Sequence, residues 1–160
     1  MPLASASDRA ARYDALAEEI EAVVAGESNR VARMATIAAM LTEAFDHFSW
    51  TGFYLVDLTK PDELVIGPYQ GTLGCMRIAI GRGVCGAAAE RRETVIVEDV
   101  HAFPGHIACD ARSLSEIVVP VFDEGGRLIA VLDVDSLQAA AFDRLDAEKL
   151  GAIVHSTFAL

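Results

Sequence analysis

The apolar run Ile117-Val118-Val119-Pro120-Val121-Phe122 meets the turn Asp123-Glu124-Gly125-Gly126 and returns as the apolar segment from Arg127 to Asp135. Two strand-like segments on either side of a glycine turn dictate an antiparallel hairpin. That commits the chain to a fold built on a largely antiparallel sheet. Side chains alternate along a strand, so Asp133 and Asp135 point to the same face. They end an otherwise apolar strand, Leu128 to Leu132, where unpaired charge is costly unless the strand end is solvated or the group is used. Glu116 stands immediately before the opposite strand, so three carboxylates are expected at one end of the sheet.

The remaining pattern supplies the other strands and the helices. Apolar residues recur at helical spacing from Ser7 to Ala25 (Leu16, Ile20, Val23, Val24), with Ser7 as the expected cap and Gly26 as the stop. A second helix is expected from about Ser28 to Phe45, with Val31, Met34, Ile37, Ala38 and Leu41 on one stripe. Two long opening helices suggest a dimer or lid surface. The period then changes to two: Trp50 to Leu58 and Leu64 to Tyr69 read as strands joined by a turn at Lys60-Pro61-Asp62-Glu63, with Met76 to Ile80 as a short third strand. Trp50, Gly52 and Tyr54 share a face. Gly83 to Arg92 reads as a helix with Cys85 in its first turn, a place that can lower a thiol pKa. Thr94 to Val97 is a strand, Asp99 to Leu114 a long loop of the kind that usually carries function, and Asp143 to Phe158 a closing helix. The expected architecture is α/β (α+β): a central, largely antiparallel, six-stranded sheet flanked by helices. With 160 residues, 52% of them hydrophobic, the chain suits one domain, residues 1–47 being N-terminal helices and 48–160 the sheet and catalytic core.

Charge removes several classes of function. Thirteen Lys+Arg against 24 Asp+Glu give a formal net charge of -11, which repels phosphate backbones and anionic lipid, so neither nucleic acid nor membrane is an expected partner. The first residues lack the basic start and hydrophobic centre of a signal peptide, and a cytoplasmic location is expected. Three cysteines in such a chain do not suggest a structural disulfide framework. All three fall between Gly71 and Glu116, among glycine turns and the paired histidines His101 and His106. Cys75 follows Gly74, Cys85 lies between Val84 and Gly86, and Cys109 follows Gly105-His106-Ile107-Ala108. This setting points to a thiol redox site. The spacing lacks the Cys-x-x-Cys or His-x-x-x-His pairs of metal sites, so no metal is expected and the histidines are read as ordering the loop.

Thiols beside crowded carboxyls suit the reduction of a sulfoxide. A sulfoxide oxygen leaves poorly until protonated, and an isolated carboxyl with a pKa near about 4 is almost fully ionised at pH 7. Two carboxyls crowded together repel, so one keeps its proton. Glu116 with Asp135 could supply it, Asp133 could bind an ammonium group, and the faces of Trp50 and Tyr54 could hold an apolar thioether end. Asp110, next to Cys109, should raise that thiol's pKa, so activation is sought in Arg112, His106 or backbone amides.

The segments Gly81-Arg82-Gly83-Val84-Cys85-Gly86, Glu98-Asp99-Val100-His101, Gly105-His106-Ile107-Ala108-Cys109-Asp110, Ser115-Glu116-Ile117-Val118-Val119-Pro120 and Val131-Leu132-Asp133-Val134-Asp135-Ser136 resemble those of the free methionine-R-sulfoxide reductases, which are GAF-domain enzymes. The resemblance runs from about Phe48 to Ile153 and implies a GAF fold and the reduction of free L-methionine-(R)-S-oxide to L-methionine. By motif position it implies that Cys109 is the nucleophile that becomes a sulfenic acid, Cys75 the main resolving cysteine that forms a disulfide with it, and Cys85 a third cysteine that shares resolving or relay. It makes Glu116, Asp133 and Asp135 the pocket acids and Trp50 and Tyr54 the aromatics that hold substrate. It further implies no bound cofactor, with thioredoxin as reductant, NADPH through thioredoxin reductase, and a homodimer. The alternative is a GAF module that binds a small regulatory ligand without chemistry, with the cysteines in the core and the acids on the ligand.

Overall fold

Residues 2–107 and 109–159 are described by a computed structural model; Ala108, part of the Gly105–Asp110 segment, lies outside them. The 117–135 hairpin forms as its sequence dictates. Strands β5 (Ser115–Phe122) and β6 (Leu128–Ser136) pair antiparallel from Ser115↔Ser136 to Phe122↔Leu128. The turn closes with Gly126 at φ +77° and with the Asp123 carboxylate accepting from the backbone N–H groups of Gly125 and Arg127 at 3.0 and 2.9 Å. Strands β1 (Trp50–Val56), β2 (Glu63–Gln70), β3 (Arg77–Ala79) and β4 (Val95–Val97) complete one six-stranded sheet in the order β3-β2-β1-β6-β5-β4, with every pairing antiparallel.

The period-two alternation sorts side chains onto two faces with opposite uses. Phe53, Ile117, Val119, Val121, Ala130, Leu132 and Val134 project to one face and pack with the buried stripes of α1 (Ala6–Val24), α2 (Arg30–Ala44) and α4 (Arg144–Phe158). Trp50, Tyr54, Val118 and Val131 project to the other, where α3 (Gly83–Arg91) lays Val84, Cys85, Ala88 and Ala89 against them. The opening helices therefore lie on the face opposite Cys85, and they are no lid over it.

Local chemistry explains where the elements begin. The cap of α1 is Ser5 and not Ser7: the Ser5 hydroxyl accepts from the Asp8 N–H at 3.1 Å, and the helix has already started at Ala6. Asn29 caps α2 in the same way, and Val31, expected on the buried stripe, is 53% exposed because it lies in the first turn, off the Met34-Ile37-Leu41 line. Strand β1 ends at Val56, two residues short of expectation, and Leu58 sits in the exposed turn. At α4, Asp143 and Asp146 form a reciprocal capping box. The buried Arg9 of α1 donates to Asp143 at 2.6 Å and the Tyr13 hydroxyl donates to Asp146 at 2.7 Å, which joins the first helix to the last through groups that no periodicity argument reveals. No helix among the described residues is long and apolar enough to cross a membrane.

Candidate active site

The register of three strands builds the floor of the site. Trp50 on β1 pairs with Asp135 on β6, and Asp135 pairs in turn with Glu116 on β5; one step along the same face, Gly52, Asp133 and Val118 form the next row. Trp50, Tyr54, Cys85, Cys109, Glu116, Asp133 and Asp135 thus line a single cavity. Cys75 is joined to that cavity through its disulfide with Cys109, whose Cα–Cα distance of 5.5 Å is ordinary for a bridged pair. Cys109 is exposed and Cys75 half-buried, so the bond is reachable from outside.

The aromatics do more than offer apolar faces. Trp50 stacks on Tyr69 and on Tyr54, with ring centroids 5.1 and 5.9 Å apart. Their polar ends hold the loop that carries Cys75: Trp50 Nε1 donates to the Thr72 carbonyl at 2.8 Å and the Tyr54 hydroxyl to the Cys75 carbonyl at 3.0 Å. Gly74 makes this approach possible, because a Cβ there would stand 3.0 Å from the Trp50 ring and 2.8 Å from Ile66. Thr72 Oγ1 also donates to the Asp110 carboxylate at 3.1 Å, tying the Cys75 loop to the Cys109 loop.

Burial is the first influence on how these groups hold their protons. Desolvation, then the charges of Asp133 and Asp135, push the Glu116 carboxyl well above its ordinary value. Asp135 is raised by desolvation and by Asp133 and Asp110. Asp133 is raised by burial, but hydrogen bonds from Glu116 and Cys85 oppose the rise, so Asp133 is the acceptor of the group. Its Oδ1 is buried with no fixed donor among the described residues; Glu116 and Cys85 can bond to Asp133 only by carrying protons. For Cys85 the outcome reverses the sequence expectation. Burial and three neighbouring acids raise this thiol well above its usual value, outweighing the helix start that would lower it.

A GAF-domain sequence model matches residues 31–157. Over 89% of this chain and 88% of the relative, the sequence is 48% identical to GAF domain-containing protein A of Dictyostelium discoideum. It is 44% identical to free methionine-R-sulfoxide reductase of Escherichia coli over 89% of this chain and 84% of that one. A crystal structure of the Neisseria meningitidis free methionine-R-sulfoxide reductase, in complex with its substrate, superposes with a TM-score of 0.88 at 52% identity, covering 96% of this chain and 89% of that one. The chain belongs to the free methionine-R-sulfoxide reductase family of GAF domains.

Around the reductase-family cysteines, the loop charges are now placed. Arg112 is bonded to the Asp110 carboxylate through Nε at 3.1 Å and Nη2 at 2.9 Å, so its charge offsets Asp110 instead of facing Cys109 alone. Those bonds hold Asp110 well below the usual carboxylate range. His106 lines the cavity, with burial and the neighbouring His101 lowering its pKa and keeping the ring neutral. One element went unrecognised in the sequence: the N-terminus of α3 opens on the cavity through Arg82, Gly83, Val84 and Cys85, and its cap residue Arg82 makes no side-chain cap bond. Free backbone N–H groups at a helix start form an anion site. The signal was available, since Gly81-Arg82-Gly83 offers no Ser, Thr, Asp or Asn where a cap belongs.

Proposed function

We propose that this protein reduces free L-methionine-(R)-S-oxide to L-methionine, with Cys109 as nucleophile. The observation that carries the reading is the juxtaposition, on one cavity, of a proton-holding carboxyl cluster and the Cys75–Cys109 disulfide. The substrate ammonium meets Asp133, whose buried Oδ1 has no donor among the described residues. Its carboxylate meets the open N–H groups of α3. The methyl thioether end lies against Trp50 and Tyr54.

As Glu116 protonates the sulfoxide oxygen, the Cys109 thiolate attacks the sulfoxide sulfur; the oxygen passes to Cys109 as the substrate S–O bond breaks, so methionine departs reduced by two electrons and Cys109 is left oxidised as a sulfenic acid. The Cys75 thiol then displaces that oxygen as water and forms the disulfide. Cys85, buried beside Asp133 and held as a thiol, is poorly placed to attack as a thiolate, which favours Cys75 as the main resolving group. In the disulfide form Cys109 has no free thiol with which to attack a substrate. Reduction of that bond therefore precedes the next turnover. We further infer that thioredoxin, recharged by NADPH through thioredoxin reductase, supplies the two electrons through the exposed Cys109 sulfur. On this reading the enzyme binds no cofactor and acts in the cytoplasm as a homodimer.

NADPH oxidation in a thioredoxin-coupled assay tests the proposal with the R and S epimers of free methionine sulfoxide and a sulfoxide-containing peptide. Consumption of the free R epimer alone is expected. Equal loss of both epimers, or preference for the peptide, overturns it.

A further inference from the structure

Beneath the disulfide, side chains from three elements converge on one small volume: Cys85 from the first turn of α3, Glu116 from β5 and Asp133 from β6. The Cys85 sulfur and one carboxylate oxygen from each acid all lie within 4.8 Å of one another, and all three residues are buried. Asp133, 6% exposed, has an Oδ1 with no fixed partner among the described residues. We propose that Cys85, Glu116 and Asp133 form a binding site for a thiophilic divalent cation of the zinc class, entered through the active-site cavity.

The donor set selects the cation. One thiolate and two carboxylates suit zinc, whereas magnesium and calcium take oxygen alone. Zinc bonds of about 2.3 Å to sulfur and about 2.0–2.2 Å to oxygen place tetrahedral ligand atoms roughly 3.3–3.7 Å apart, so the trio has to contract by only about 1 Å at its widest. The cavity of about 40 Å³ leaves room for a water in the fourth position.

Charge argues the same way. Fully ionised, the trio carries three negative charges in a buried space, and it escapes that repulsion either by holding protons or by binding a cation. Cation binding exchanges one for the other: the Cys85 sulfur–hydrogen bond gives way to a sulfur–metal bond, the Glu116 proton leaves with it, and both protons go to solvent with no change of oxidation state. Asp135 on β6 and Tyr54 on β1 also face Cys85, and Arg82, His106 and Asp110 line the same cavity. Affinity therefore rises with pH as these protons become easier to lose. Under the proposed function, the bound cation would occupy the ammonium subsite and remove the catalytic proton, and so inhibit turnover.

The test uses the protein in its disulfide form, which cannot turn over and in which Cys85 is the one free thiol of the chain's three cysteines. It is therefore independent of whether the catalytic reading holds. Titration with Co²⁺ at about pH 8 should give one saturable site per chain with a near-ultraviolet thiolate-to-cobalt absorbance, bleached by Zn²⁺. Cys85→Ser should abolish that absorbance, and Asp133→Asn should weaken binding at least tenfold, circular dichroism confirming that both variants fold. Absence of a saturable band, its persistence in Cys85→Ser, or unchanged affinity in Asp133→Asn overturns the site.

Discussion

Leu132 and Asp133 are neighbours in β6, yet they belong to different kinds of protein interior. Leu132 projects into the layer of α1, α2 and α4, where the strand residues are mostly apolar and burial is converted into stability. Asp133 projects toward α3, where a smaller apolar cluster surrounds Glu116, Asp133 and Cys85, and where burial of these groups holds protons at a pH that would ordinarily remove them. One face of the sheet is given over to the core, and the other combines a second apolar cluster with the acids and Cys85. A single strand supplies both because its side chains alternate.

The largest effect expected from breaking the site face is the loss of the proposed nucleophile. Cys109→Ser should abolish NADPH oxidation in the thioredoxin-coupled assay, and Cys75→Ser should stop after about one methionine per chain, measured by amino-acid analysis. Both variants should keep the wild-type melting temperature under reducing conditions, since neither residue belongs to the helix-covered core. Sustained turnover in Cys109→Ser would refute the mechanism.

Next in size is Glu116→Gln, which keeps the shape and removes the proton. It should lower kcat by about a hundredfold or more with a smaller change in KM, as the loss of a general acid does. It should also change how stability depends on pH. A carboxyl whose folded pKa is raised binds more protons in the folded state than in the unfolded one, so its contribution is present below the unfolded value of about 4.5 and is lost as pH rises through the folded value. Urea melts from pH 4.5 upward should show wild-type stability falling across that window, and Glu116→Gln should fall less. An identical slope in the two proteins would mean that Glu116 is ionised in the fold.

The neighbours themselves separate the faces directly. Leu132→Ala should cost about 2–5 kcal/mol in denaturant unfolding and, where the variant is still folded, leave KM unchanged. Asp133→Asn should change stability at pH 7 by no more than about 1 kcal/mol, because it removes a buried charge together with its interactions, while raising KM at least tenfold. If the two substitutions had similar consequences, the division between faces would fail.

What the sequence made legible follows the same division. The sheet, its hairpin and the shared face of Asp133 and Asp135 could be read because alternation is a local property. The carboxyl cluster could be anticipated because Glu116 and Asp135 abut a hairpin whose turn sets its register. The direction of the Cys85 shift could not, since it depends on acids that reach α3 from strands far along the chain. The lack of a capping side chain at Arg82 is visible in the sequence, but that the start of α3 opens on the cavity depends on how the helix packs across the sheet. The Arg9–Asp143–Asp146 link had no periodic signature, because a buried polar network answers to three-dimensional contacts alone. For α1, both Ser5 and Ser7 are chemically able to cap; the path of the backbone decided between them.

That last choice yields the smallest prediction. Ser5 satisfies one of the free N–H groups at the start of α1, a helix that packs on α2 and α4 away from the α3 face, and a lost cap of this kind costs about 1 kcal/mol. Ser5→Ala should show that loss in urea unfolding, whereas Ser7→Ala, inside the helix and exposed, should be neutral or slightly stabilising. Neither should alter kcat, KM or the pH dependence of stability assigned to Glu116. A change in the catalytic constants of Ser5→Ala at temperatures where it is fully folded would mean that the helix layer influences the site through the sheet, and that the two faces act together.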